Sequence, residues 1–124
     1  MKHNLTALIV YIGTLLCHTA SAWHSVVDFG AISDNEELWA EQTNANAFNE
    51  AILAANYTQD DRVVYVPSGS VFYTMPIYAE YVNNVTFVID GTIRFSKRHN
   101  KWPLRKENTN RDCFALTDVT NITF

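Results

Sequence analysis

The sequence predicts an all-β solenoid of short strands stacked coil on coil, with one early helix covering its end. Three observations predict it. Val82-Asn83-Asn84-Val85-Thr86-Phe87 is echoed by Val119-Thr120-Asn121-Ile122-Thr123-Phe124, and a recurring strand-and-turn unit marks repeats that bury their apolar faces only against one another. Runs rich in β-branched and aromatic residues recur at strand length, closed by Pro, Gly, Asn or Asp. One segment ahead of them carries its apolar residues at helical spacing. The second copy of the repeat is the last stretch of the 124 residues. The expectation is that the chain holds the first two to three coils of a longer solenoid.

Residues 1–22 read as a secretory signal peptide. Lys2 precedes an apolar run from position 5 to 17, and Ala20-Ser21-Ala22 is a small-residue cleavage motif. The run is shorter than the about 20 residues of a membrane span; the alternative is an uncleaved signal anchor. No second apolar run approaches that length, so no membrane contact is expected after cleavage. Residues 23–124 then form the secreted, extracellular domain.

That domain opens with a short strand over 25–29, broken by Gly30, and a polar, acidic loop over 34–41. Thr43 or Asn44 suits a helix N-cap. Ala47, Phe48, Ala51, Ile52 and Ala55 follow on one face, predicting a helix over 44–55. Strands are expected at 62–66, closed by Pro67-Ser68-Gly69, and at 70–73, with a bend near Pro76. A further strand over 85–89 is closed by Asp90-Gly91 and continued over 92–95. The polar segment 96–111 interrupts the repeat as an insertion of roughly 15 residues, and such outgrowths often form the binding face.

Val27-Asp28-Phe29-Gly30-Ala31, the helix with Ala47-Phe48-x-x-Ala51-Ile52, then Val64-Tyr65-Val66-Pro67-Ser68-Gly69 and Val85-Thr86-Phe87-Val88-Ile89-Asp90-Gly91-Thr92 come in this order. In that order they resemble the N-terminus of the pectin-degrading right-handed parallel β-helix (pectin-lyase-like) proteins, most closely the polygalacturonases of glycoside hydrolase family 28. Ser96 with Trp102-Pro103-Leu104 is similar to the S…WP stretch of plant-type members. The Gly-Asp-Gly and Thr-Asp-Asp-Thr pieces common before the family's helix are absent. The resemblance implies a hydrolase of α-1,4-galacturonan that inverts at the anomeric carbon. Inversion needs an acid and a base about 6.5–9.5 Å apart. The motifs that carry them in the family, an Asn-Thr-Asp, an Asp-Asp, a Gly-His-Gly and an Arg-Ile-Lys, do not occur in these roles here. Asp60-Asp61 lies far upstream of the family's pair and reads as a turn, as does Asp90-Gly91. No catalytic residue is assigned, and the chain alone is expected to be inactive. The alternatives are a non-catalytic β-helix carbohydrate-binding protein or degenerate paralogue, or another pectin-active β-helix enzyme such as a rhamnogalacturonase or pectate lyase.

Charge favours a carbohydrate partner. The net charge is −4 and grows more negative once Lys2 is removed, which argues against nucleic acid. Arg62 apart, every remaining basic residue falls between 94 and 111: Arg94, Lys97, Arg98, Lys101, Arg105, Lys106 and Arg111. Cations suit a polyuronate such as polygalacturonate or pectin, and Trp102 offers a ring for a sugar to stack on. Arg98, Lys101, Trp102 and Arg105 are the candidate substrate contacts; a solvated loop with Trp102 in a small packing cluster is the alternative. His24, His99 and Cys113 show no metal-ligand spacing, and neither metal nor cofactor is expected. Cys113, alone after signal cleavage, pairs elsewhere or lies buried. Asn56, Asn84 and Asn121 begin N-x-T sequons; the last two occupy matching repeat positions, where turn chemistry explains them equally well. An unpaired last strand is expected to self-associate through its edge.

Overall fold

A computed structural model describes residues 23–105 and 112–124; the expected signal peptide, Lys106 and Arg111 lie outside them. The first strand is shorter than expected. Only His24–Ser25 (β1) is extended, and Val26–Phe29 coils into a 3₁₀ helix. Spacing of three between Val26 and Phe29 suits that helix, in which i and i+3 eclipse: Val26 is buried while Val27 and Asp28 face outward. Gly30, at φ 98°, closes the turn by donating its N–H to the Val26 and Val27 carbonyls, a left-handed conformation that glycine adopts without strain.

The helix α1 runs Leu38–Tyr57, beginning upstream of the expected 44. Neither Thr43 nor Asn44 caps it. Asn44 is fully buried in its interior, where its side chain accepts from the Ile32 N–H (2.7 Å) and donates to the carbonyls of Ile32 (2.9 Å) and Tyr73 (2.7 Å). The acidic stretch read as a loop instead supplies the first turns. Glu37 is the extended N-cap residue, its N–H held by the Asn35 side chain at 2.9 Å. The helix ends at Thr58, whose N–H and hydroxyl both bond the Ala54 carbonyl. Its buried face is largely alanine (Ala40, Ala47, Ala51, Ala55) around Phe48 and Ile52.

The strands are β2 (Val63–Val66), β3 (Val71–Thr74), β4 (Ile77–Glu80), β5 (Asn83–Ile89), β6 (Thr92–Phe95), β7 (Phe114–Thr117) and β8 (Thr120–Thr123). Two of them, β4 and β7, go beyond the sequence reading. Pro76 masks β4, and β7 follows the insertion directly. All pairs are parallel, in sheets ordered β1-β2-β5-β8, β3-β6 and β4-β7. From β2 onward the chain visits the three sheets in strict rotation. Val63 pairs with Thr86 and Val71 with Thr92, whereas Ile77 pairs with Phe114 and Val85 with Ile122. The two longer intervals both span the segment between β6 and β7, which places the inserted residues there.

The sequence echo is a spatial stack, with Asn83 opposite Thr120 and Val85 opposite Ile122. Val64, Val66, Phe72, Ile77, Ala79, Val85 and Phe87 point into one apolar interior with Phe48 and Ile52. Phe87 stacks on Phe124 at 5.0 Å and 13°. The helix packs against β2, β3 and β4, one strand from each sheet.

Turns stack as well. Asp61, Asn84 and Asn121 adopt φ of 50°, 56° and 52° on successive rungs, and Tyr81 and Asp118 do the same at another corner. Asn and Asp tolerate this left-handed region best. Asn121 Nδ2 donates to Asn84 Oδ1 at 2.7 Å, and Thr120 Oγ1 to Asn83 Oδ1 at 2.5 Å. At a third corner the Asp90-Gly91 turn lies under Pro67-Ser68-Gly69, with both the Asp90 and Gly91 N–H groups on the Val66 carbonyl.

Candidate functional site

The inserted segment is anchored by a polar cluster. Glu41, on the first turn of α1, is 1% exposed. Its carboxylate accepts from Ser96 Oγ at 2.7 Å and from Arg98 Nη1 at 2.8 Å. Arg98 Nη1 also donates to the Glu36 carbonyl (2.9 Å), and the Arg98 N–H bonds Ser96 Oγ (3.1 Å). Trp102 Nε1 donates to the Ser96 carbonyl at 3.1 Å, and the His99 ring meets the indole edge-on at 4.9 Å. Arg105 pairs with Asp112. Arg98, Trp102 and Arg105 are therefore engaged in holding the segment in place. Lys101, in the short 3₁₀ helix His99–Lys101, is exposed and has no carboxylate partner among the described residues.

Lys101 stands at the rim of a groove of about 610 Å³ between α1, β4 and the insertion. Gln42, Asn46 and Asn49 line the helix side; Met75, Pro76 and Tyr78 form the opposite wall; Pro103 joins Lys101 at the rim. Three amides at helical spacing offer both donors and acceptors. Asn49 Oδ1 is buried without a hydrogen-bond partner among the described residues, and such an acceptor carries a desolvation cost that a donor relieves. The Tyr78 hydroxyl is fixed by Glu80 Oε2 at 2.9 Å and Thr117 Oγ1 at 3.3 Å, which leaves its ring as wall. Hydroxyl-reading amides, a flat ring and one ammonium suit a hydroxylated ligand that carries a carboxylate. The sequence points to Lys101 but not to the amides: the helix expected over 44–55 leaves out Gln42, and Asn46 and Asn49 alone mark only a polar helix face.

The acidic candidates lie apart from this groove. Asp60 and Asp61 are exposed in the turn before β2. Asp90 sits beside Tyr65. Partial burial, and then the Asp90 carboxylate, push the Tyr65 hydroxyl above its ordinary 10.0, with the Ser68 backbone pulling the other way. Among the described residues no group of three His, Cys, Asp or Glu side chains is placed to hold a metal ion, and no helix is long and apolar enough to cross a membrane. Cys113 is exposed and free, which corrects the buried alternative: it precedes β7 at the outer end of the insertion rather than in the core. No protein-family model, curated protein or solved structure matches the chain.

Proposed function

We propose that this chain is the N-terminal part of a secreted, polygalacturonase-like glycoside hydrolase with a right-handed parallel β-helix fold. On this reading the hydrolase acts on pectin, and this chain supplies a polyuronate contact rather than the catalytic carboxylates. The observation that carries the reading is how the family-like motifs sit on the structure. Val64-Tyr65-Val66 and Phe87-Val88-Ile89 are neighbours in one parallel ladder, their closing turns stack, and the helix bearing Ala47, Phe48, Ala51 and Ile52 packs against a strand of each sheet. The Lys101 groove is the contact: its ammonium meets a galacturonate carboxylate while Gln42, Asn46 and Asn49 meet ring hydroxyls. A non-catalytic carbohydrate-binding protein is the second reading, favoured by Asp60, Asp61 and Asp90 not lining the same groove.

Calorimetric titration of the full chain with an oligogalacturonate and with a size-matched neutral galacto-oligosaccharide tests the contact. Binding is expected for the charged sugar only, and Lys101→Ala weakens it about tenfold, or 1.4 kcal/mol; Arg105→Ala, whose partner is Asp112, changes it little. Equal affinity for both sugars, or none for either, sinks the reading. Release of reducing ends from polygalacturonate by this chain would reveal an acid and base pair among its own residues.

A further inference from the structure

Besides Asn4, which lies within the expected signal peptide, three sequon asparagines occur in the chain, and they occupy unequal positions. Asn56 is a structural clamp. Its Oδ1 accepts from the Asn83 N–H at 2.9 Å and from Arg62 Nη2 at 3.2 Å, and its Nδ2 donates to the Tyr81 carbonyl at 3.2 Å. The hydroxyl of its sequon is committed too: Thr58 Oγ1 bonds the Ala54 carbonyl at 2.8 Å and meets His24 Nε2 at 3.1 Å. A sugar on Asn56 Nδ2 would stand between the end of α1 and the turn into β5. Asn84 and Asn121 are exposed, but they are adjacent rungs of one ladder, and neighbouring strands lie about 4.7–4.9 Å apart. Two branched oligosaccharides do not fit side by side at that distance. Asn121 Nδ2 is directed at Asn84 Oδ1 (2.7 Å). Asn84 Oδ1 accepts from Asn121, and its carbonyl accepts from Arg62 Nε at 2.9 Å. Its Nδ2, the atom that glycosylation modifies, carries no hydrogen bond among the described residues.

We infer that Asn84 is the single N-glycosylation site of the folded protein, with Asn121 excluded by its neighbour and Asn56 by its role in the fold. The glycan stands on the outer face at the start of β5 and keeps the Asn84–Asn121 hydrogen bond. The inference rests on the chain entering a glycosylating secretory pathway, so two forms separate the questions: the full chain with its own N-terminus, and the full chain behind a heterologous signal peptide. Each is made in insect cells, and both secreted and retained material are treated with peptide-N-glycosidase in heavy-oxygen water. One glycan is expected per folded molecule, with the label at position 84. Thr86→Val, which removes the sequon and leaves the rung, abolishes it; Asn56→Gln leaves the glycan mass unchanged. A glycan only behind the heterologous signal overturns the secretion reading and supports the site. Two glycans per folded molecule, a label at 56 or 121, or no glycan in either form overturns the inference.

Discussion

Gly91 shows how closely the corners pack. A Cβ there would lie 2.2 Å from the Pro67 carbonyl oxygen and 3.1 Å from that of Ser70, both backbone atoms that cannot swing aside. Space rather than φ requires glycine at this position. Gly91→Ala is expected to cost about 2–3 kcal/mol through overpacking, seen as a lower urea midpoint with an unchanged slope; an unchanged midpoint would mean that the two turns are not stacked. Tyr65 gives a second test at the same corner. The folded state keeps its phenolic proton where the unfolded chain loses it, so this contribution to stability is intact below about pH 10 and is lost as the pH rises through the folded-state value. Spectrophotometric titration should show Asp90→Asn moving that step to lower pH and Tyr65→Phe deleting it. Individual residues at such turns were legible in the sequence as punctuation. Their partners were not, because the closest neighbour of Gly91 lies a whole circuit earlier in the chain.

Among the elements, the helix and the insertion depend on one another. Glu41 is legible in the sequence only as one more acidic residue in a polar stretch; nothing local shows that Ser96 and Arg98 will meet it. The same long-range demand explains the early start of α1 and the burial of Asn44, since local rules place Asn at a cap. Strands with clean apolar alternation and a closing turn, such as β2 and β5, were readable. β4 was not, because the proline beside it signals a bend as strongly as its own alternation signals a strand. Replacing Glu41 by Gln keeps the volume but leaves Arg98 without its counter-charge. Breaking a fully buried pair costs about 3–5 kcal/mol, and the 41% exposure of the arginine side chain reduces that to about 1–3 kcal/mol. Limited proteolysis should then cut the segment between β6 and β7 faster than in the unaltered chain. Equal cleavage rates would show that the cluster does not anchor it.

At the scale of the whole molecule, the sequence conveyed the stacked repeat and its long interruption, since the echo at 82–87 and 119–124 became a ladder in register. The number of sheets was hidden by the two strands that went unread. The outer edge of β8 has no strand beside it among the described residues, and Phe124 is 72% exposed. Open edges next to apolar side chains template pairing with another copy. The purified chain is expected to elute from size exclusion at a mass that rises with concentration, and Thr123→Lys, which places a charge on the exposed face of that edge strand, should shift it toward monomer. A monomer at every concentration would show that the edge is protected.

Parallel rotation through three sheets also fixes an order of events during synthesis. Among the described residues there is no hairpin, and each partner strand arrives only after an intervening circuit has been made: β2 waits for Thr86 and its neighbours, β4 for Phe114 and beyond. Contacts so distant in sequence must close a long loop before any gain is realised, which makes folding slow. Among the described elements, α1 and the two short 3₁₀ helices are the ones that can form from local contacts. The nascent chain therefore carries the unpaired edge of β2 exposed until β5 has been translated, and that interval is when its folding is most open to error.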